Sequence, residues 1–557
     1  MTARFLIALL MAAICSLPIT ASAADDGATV YKIRNRWLKD QFLHASDGKV
    51  GYGTGDDATY RWTVEQVGGY QRIKNADTGA CMTVKEGAAD VELAAAPAAT
   101  DAAGQWTIDY VSLPFRAIKS RVTGKYVNCE HKLGRVECDT DKTPTPMDVW
   151  SAQWEFVQVG GPPPLPFVQR GRIAVTSPAY GSDVKGDTPL ALVAAGFETV
   201  TVKCWQQGDG FGTDSTVGEV KPDAQGKGSI VFPAEKYPHG PITVRISGAD
   251  GKVKDNCYLQ LYNKGGVSWN EGMPKDPPPA AAGLALVFAE DFTGPLSISS
   301  TDPKATFYDH KPPNGSQDFS TLTFSGYDSP KNPFAQVDSY LRIRASEKTH
   351  SSGLLSSMKN DAGGLKVSVP CYFEARFIGP NAIGTWPAFW LMTDYMTDYR
   401  LKGDKTPCDE LDIIEAYGGE GPHEPNAGDT YMICPHCWNQ GAEGKAIEKK
   451  AYEGMHNPIH MRKAGIPSTW FEAFHVYGCK ITETDTIYYC DNIEVGRHAT
   501  LPLSKERPFF FLINLATGGG WPVNLSRYDG QADMYVDYVR VYSGAGGANR
   551  VAERRGN

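Results

Sequence analysis

Cys408-Asp-Glu-Leu-Asp-Ile-Ile-Glu-Ala-Tyr-Gly418 sets three acids, Glu410, Asp412 and Glu415, among apolar residues. Leu411, Ile413 and Ile414 suit a buried strand, because branched apolar side chains pack well on a pleated surface. Side chains two apart on a strand face the same way, so Glu410 and Asp412 share a face. Glu415 is five residues from Glu410, and a regular strand turns it to the other face. A one-residue bulge near Ile413 or Ile414 returns it to the first. Three carboxylates then line one wall of a cleft. Taken alone, E-x-D-x-x-E also fits a strand that shows three acids to solvent.

The chemistry suits the cleft. Retaining glycoside hydrolysis needs two carboxyl groups about 5–5.5 Å apart, one as nucleophile and one as acid/base. A third acid between them can hydrogen-bond the nucleophile and set the charge of the site.

Other segments accompany this strand. Upstream is G-T-W-P-A-F-W-L-M (Gly384–Met392). Downstream are F-H-V-Y-G (Phe474–Gly478), P-F-F-F-L-I-N-L-A-T-G-G-G-W-P (Pro508–Pro522) and M-Y-V-D-Y-V-R-V-Y (Met534–Tyr542). The ordered set resembles glycoside hydrolase family 16, in its laminarinase-like branch with the bulged motif, over residues 284–543. The resemblance implies a two-sheet jelly roll. It makes Glu410 the nucleophile, Glu415 the general acid/base and Asp412 the helper between them.

The same resemblance extends to substrate contacts. Trp386 matches a tryptophan that stacks on a sugar. Trp390 alternates onto the same face and either lines the cleft or lies in the core. Glu374 and Arg376, in Y-F-E-A-R-F, stand where the family often has a cleft-facing acid and arginine; a surface ion pair is the alternative. His436, close to Trp438 in T-Y-M-I-C-P-H-C-W-N, is the candidate for a histidine near the acid/base. Trp521, after Asn514 in the I-N-L-A-T-G-G-G-W run, closes one end of the cleft. His475 is read as structural. Asp537 matches a residue that often binds calcium on the convex face, where one carboxylate plus backbone carbonyls can hold a hard cation; a salt bridge to Arg540 is the alternative. No cofactor is expected for the chemistry itself.

The rest of the chain reads as further all-β modules. With 557 residues, about three domains are expected. Residues 25–160 hold a loose triple repeat, marked by Trp62, Trp106 and Trp154 at spacings of 44 and 48 residues. Each mark follows a similar start, such as I-K-N-A-D-T-G and I-K-S-R-V-T-G. Three strand-rich repeats of this length resemble a ricin-type β-trefoil. The tryptophans are then core residues, and the family suggests carbohydrate binding. Residues 168–265 read as short alternating strands of a small immunoglobulin-like sandwich, a spacer without evident chemistry. Proline-rich linkers flank it at Gly160–Pro164 and Pro274–Ala282. The tail, 544–557, reads as disordered.

Residues 1–23 carry Arg4, an apolar core Phe5–Leu17 and an Ala21-Ser22-Ala23 cleavage site. They predict a secretory signal and an extracellular or periplasmic protein. No other stretch approaches 18 apolar residues, so no membrane span is expected. The net charge of -9 gives no basic footprint for nucleic acid. Of 12 cysteines, one lies in the signal. In an oxidising compartment the local pairs Cys129–Cys138, Cys204–Cys257 and Cys479–Cys490 are expected as disulfides. Cys434-Pro-His-Cys437 also has the C-x-x-C spacing, without a thioredoxin-like context; a loop disulfide or two separate bridges is the expectation.

The expected protein is a monomeric, secreted, retaining endo-glycosidase acting on a β-linked polysaccharide, with β-1,3- or mixed-linkage glucan first. A galactan, an agar-type polymer or a bacterial exopolysaccharide is the alternative substrate. A transglycosylase needs the same three acids, whereas a carbohydrate-recognition protein of this type lacks them.

Overall fold

The computed structural model describes residues 28–112, 115–144, 148–161, 172–205, 214–250, 253–266, 272–313, 319–419, 429–453, 455, 457–544 and 548–549. The expected signal, most of the first linker and nearly all of the tail lie outside these residues. The described chain is almost entirely strand, with three short α-helices. None of its helices is long and apolar enough to cross a membrane.

The N-terminal unit repeats one local device three times. A single turn of 3-10 helix (58–60, 102–104, 150–152) precedes each marker tryptophan. Each indole is fully buried. Each donates Nε1–H to a backbone carbonyl, Trp62 to Leu43 at 2.9 Å, Trp106 to Met82 at 3.1 Å and Trp154 to Val127 at 2.9 Å. The three indoles share one apolar core with Ile33, Ile73 and Ile118. A buried indole N–H left without an acceptor is costly, so these bonds pin the three repeats to one another.

The middle unit stacks a three-stranded sheet on a five-stranded one. It is docked on the C-terminal unit rather than hung from it. Buried Asp255 receives Arg527 at 3.1 Å and Arg172 at 3.2 Å. The Tyr180 hydroxyl accepts from the Asp533 amide at 2.8 Å and donates to Gln260 at 2.7 Å. Apolar residues of both units belong to one continuous core. The segment Pro274–Ala282, expected as a linker, is also packed down. Arg540 donates to the carbonyls of Pro274 and Asp276, and Ala280 and Ala281 are buried against Tyr372 and Tyr542.

The C-terminal unit is a β-sandwich. One sheet centres on the Gln531–Ser543 strand, paired with Cys371–Ile378 and Tyr340–Ser346. The other runs from Phe509–Thr517 through Thr385–Thr393 and Cys408–Glu415 to Thr430–Trp438. Phe373, Ala375 and Phe377 of the first sheet meet Phe389, Leu391, Leu411 and Ile413 of the second in the core. Strand alternation therefore turns Trp386, Ala388, Trp390 and Met392 outward on the second sheet, where the cleft forms.

No disulfide forms among the described cysteines. The register explains why the expected pairs fail. Cys479 is opposite Tyr488 and Cys490 opposite Tyr477, so the two thiols are diagonal rather than opposed. Cys138 is opposite Val127, two residues short of Cys129. Cys204 and Cys257 occupy strands of one sheet with Gly240–Asp250 between them. Diagonal neighbours lie about 7–8 Å apart, beyond disulfide reach.

Candidate active site

The carboxylate strand carries the expected bulge. Its partner residues Trp390 and Phe389 face Asp412 and Ile414, leaving Ile413 as the extra residue. On the other side, Asp412 faces Cys434 and Glu415 faces Met432, three residues against two. Glu410, Asp412 and Glu415 accordingly all line the same cleft, of about 510 Å³. Asp409 points the opposite way and is buried, held by Ser504 and Gln440.

Each acid has a distinct setting. Glu415 is only partly buried, and one of its oxygens, Oε1, accepts two hydrogen bonds. The Trp386 indole and the Tyr417 hydroxyl each donate to it at 3.0 Å. Trp386 and Tyr417 are stacked at 5.4 Å, so an aromatic pair holds this carboxylate in place. Asp412 is buried, and burial together with Glu410 and Glu415 pushes its carboxyl well above the usual aspartate range. Burial and the Glu415 charge also raise Glu410, against the pull of Lys311 and His436. Burial and mutual repulsion thus work against ionising Glu410 and Asp412 together.

Aromatic rings and amides complete the lining. Trp390 donates to Asn514 at 2.8 Å, which fixes its plane, and it lines the cleft although only 5% exposed. Phe319 meets Trp386 and Trp390 edge-on. Tyr395, Tyr399 and the half-exposed Trp438 extend the lining, and Lys311 is 5.0 Å from the Trp390 ring. His436 stands beside this wall, its Nε2 3.6 Å from Asp412 Oδ2 and its ring 5.1 Å from that of Trp438.

Other expected residues lie elsewhere. Arg376 belongs to the first sheet and pairs with Asp537 at 2.5 Å. Glu374, beside it, pairs with Arg540. Alternation predicted that Glu374 and Arg376 share a face, but that face is on the sheet remote from the cleft. Asp537 thus meets Arg376 rather than Arg540, and its second oxygen receives the Gly272 amide at 3.3 Å. A calcium ion would face a guanidinium there, so the described residues around Asp537 do not fit one. Trp521 is 42% exposed and is not part of the lining. Cys434 and Cys437 are three apart on one strand and point to opposite faces, which rules out the C-x-x-C reading. His475 is buried, between Asp491 at 2.6 Å and Ser468 at 3.0 Å.

Sequence reasoning missed Lys311, Phe319, Tyr395 and Tyr417. Tyr417 was within reach, since it follows Glu415 by two residues and shares its face. Lys311 and Phe319 come from a loop far upstream and carry no local signal.

No family model matches the chain. The endo-1,3-1,4-beta-glycanase EglC of Rhizobium meliloti (strain 1021) is 30% identical over 223 residues, which cover 38% of this chain and 40% of that protein. The endo-1,3-1,4-beta-glycanase ExsH of the same strain is 28% identical over 228 residues, with the same coverage. The chain spans about two fifths of the length of these curated relatives. Among solved structures, the laminarinase from Flavobacterium sp. UMI-01 aligns with 46% of this chain and 100% of its own, at 22% identity and a TM-score of 0.34.

Proposed function

We propose that the protein is a secreted member of glycoside hydrolase family 16 that cleaves a β-linked glucan internally, with retention of configuration. The observation that carries this reading is the bulge at Ile413, which brings Glu410, Asp412 and Glu415 to one wall of an aromatic cleft. The names of the two Rhizobium relatives favour a 1,3-1,4-β-glucan as substrate.

In this reading Glu410 attacks the anomeric carbon while Glu415 protonates the leaving oxygen. Trp386 and Tyr417 both occupy Oε1 of Glu415, so Oε2 carries the transferred proton. Water then attacks the glycosyl-enzyme, with Glu415 as base. Asp412, whose carboxyl is pushed up by burial and by the two glutamates, is the helper that keeps Glu410 aligned until the ester forms. Trp390 and Trp438 offer ring faces to sugar units. The N-terminal unit, with its three pinned indoles, is read as a β-trefoil carbohydrate-binding module, and the middle unit as an immunoglobulin-like support.

The test is product analysis with laminarin, mixed-linkage glucan, agarose and galactan. Oligosaccharides from a β-glucan, absent with Glu410→Gln and Glu415→Ala, support the reading. Release from none of the polymers, or equal release by the variants, contradicts it.

A further inference from the structure

The Thr430–Trp438 strand turns Cys434 and His436 to the same side as the catalytic wall. Cys434 is the cross-strand partner of Asp412, and His436 that of Glu410. One ligand atom from each of Asp412, Cys434 and His436 lies within 4.8 Å of the others. The surroundings resemble those of a prepared metal site. His436 turns Nε2 towards Asp412 and presents Nδ1 to Glu448 Oε1 at 3.5 Å. Metal-binding imidazoles commonly have their second nitrogen held by a carboxylate in this way. Cys434 Sγ accepts from Asn457 Nδ2 at 3.7 Å and from the Tyr452 hydroxyl. Both donors orient the sulfur; burial, with Asp412 and Glu415 beside it, pushes the thiol up, so a metal must displace its proton to bind. Neither Cys434 nor Glu448 has any part in the double displacement.

We propose that Asp412, Cys434 and His436 form a site for a thiophilic divalent cation of the zinc class, and that its occupation switches hydrolysis off. One oxygen, one sulfur and one nitrogen leave a fourth tetrahedral position for water. Calcium, which takes six to eight oxygens, does not suit imidazole and thiol. The Cys434 thiol and the Asp412 carboxyl give their protons to solvent as the metal–sulfur and metal–oxygen bonds form. The switch, though not the binding, rests on the hydrolase reading. A dication on Asp412 withdraws that carboxylate from Glu410.

The purified full chain is titrated with cadmium and then zinc, by calorimetry and by the ultraviolet charge-transfer band of a cadmium–thiolate bond. The wild type binds a single equivalent and shows the band; zinc displaces cadmium and calcium does not. Cys434→Ser and His436→Gln both lose that equivalent. At one equivalent of zinc, glucan hydrolysis falls by more than about tenfold and recovers with a chelator. Cys434→Ser hydrolyses like the wild type and ignores zinc. Absence of the band at saturating cadmium in the wild type, or its survival in Cys434→Ser, overturns the site. A full band with undiminished hydrolysis overturns the switch. If no polymer is cleaved, the cadmium band still decides the site, so the two failures are separable.

Discussion

The indole of Trp386 donates to Glu415 Oε1 at 3.0 Å across adjacent strands. Tyr417, stacked on Trp386, donates to the same oxygen. The residue expected to stack on sugar and the residue expected to transfer the proton are thereby one mechanical unit. A ring displaced by substrate moves the acid with it.

Trp386→Phe keeps a ring and removes the donor. A hydrogen bond to a charged group contributes about 1.5–3 kcal/mol. If the bond strengthens in the transition state, kcat falls by roughly ten- to a hundredfold while KM changes little. Steady-state kinetics on mixed-linkage glucan checks this; a change confined to KM shows that Trp386 only binds.

Asp412 trades stability for function. Its carboxyl is raised well above the usual range by burial and by Glu410 and Glu415. The folded state therefore holds this proton more tightly than the unfolded chain. That contribution is complete at low pH and is lost as pH rises from the ordinary aspartate range through the folded value. Asp412→Asn removes the loss. Its melting temperature should exceed the wild type's by roughly 2–4 °C at neutral pH per kcal/mol relieved. The gain should shrink on acidification, and hydrolysis should fall by about a hundredfold. Calorimetry at neutral and acidic pH decides; a gain that does not vary with pH contradicts the assignment.

The bulge is testable by chain length. Deleting Ile413 leaves E-x-D-x-E, a regular strand with all three acids still on the cleft face. Inserting one alanine after Ile414 instead sets Glu415 six positions from Glu410, which in a regular strand keeps it on the cleft face but one cleft-facing position further from Glu410, and with the bulge retained turns it into the core. The deletion should retain measurable hydrolysis. The insertion should lose about a thousandfold or more, the contribution of a general acid. The reverse order contradicts the spacing argument.

Docking of the middle unit rests on Asp255, which is buried and paired with Arg527 and Arg172. Arg527→Ala leaves that carboxylate short of a partner, at a cost of about 3–5 kcal/mol. The variant should melt earlier, with middle-unit and sandwich transitions separated in a calorimetric scan. An unchanged single transition contradicts a shared core.

The three acids were legible because a period of two, broken once, leaves a trace in the sequence: Glu410 and Asp412 agree in parity and Glu415 does not. Alternation also paired Glu374 with Arg376 on one face. It could not say which sheet bears that face, and pairing between distant strands gave them Arg540 and Asp537 as ion-pair partners. The cysteine pairs failed because closeness in sequence does not fix register: Cys479 and Cys490 flank one hairpin yet miss each other diagonally. Lys311 and Phe319 reach the cleft by loop geometry, which no periodicity encodes.

The most direct test of the central claim is the configuration at the newly formed reducing end, followed by proton NMR during hydrolysis of mixed-linkage glucan. The account predicts that the β-anomer appears first and the α-anomer follows by mutarotation, with no signal from Glu410→Gln. The α-anomer appearing first, or an equal signal from Glu410→Gln, would contradict a double displacement through the bulged strand.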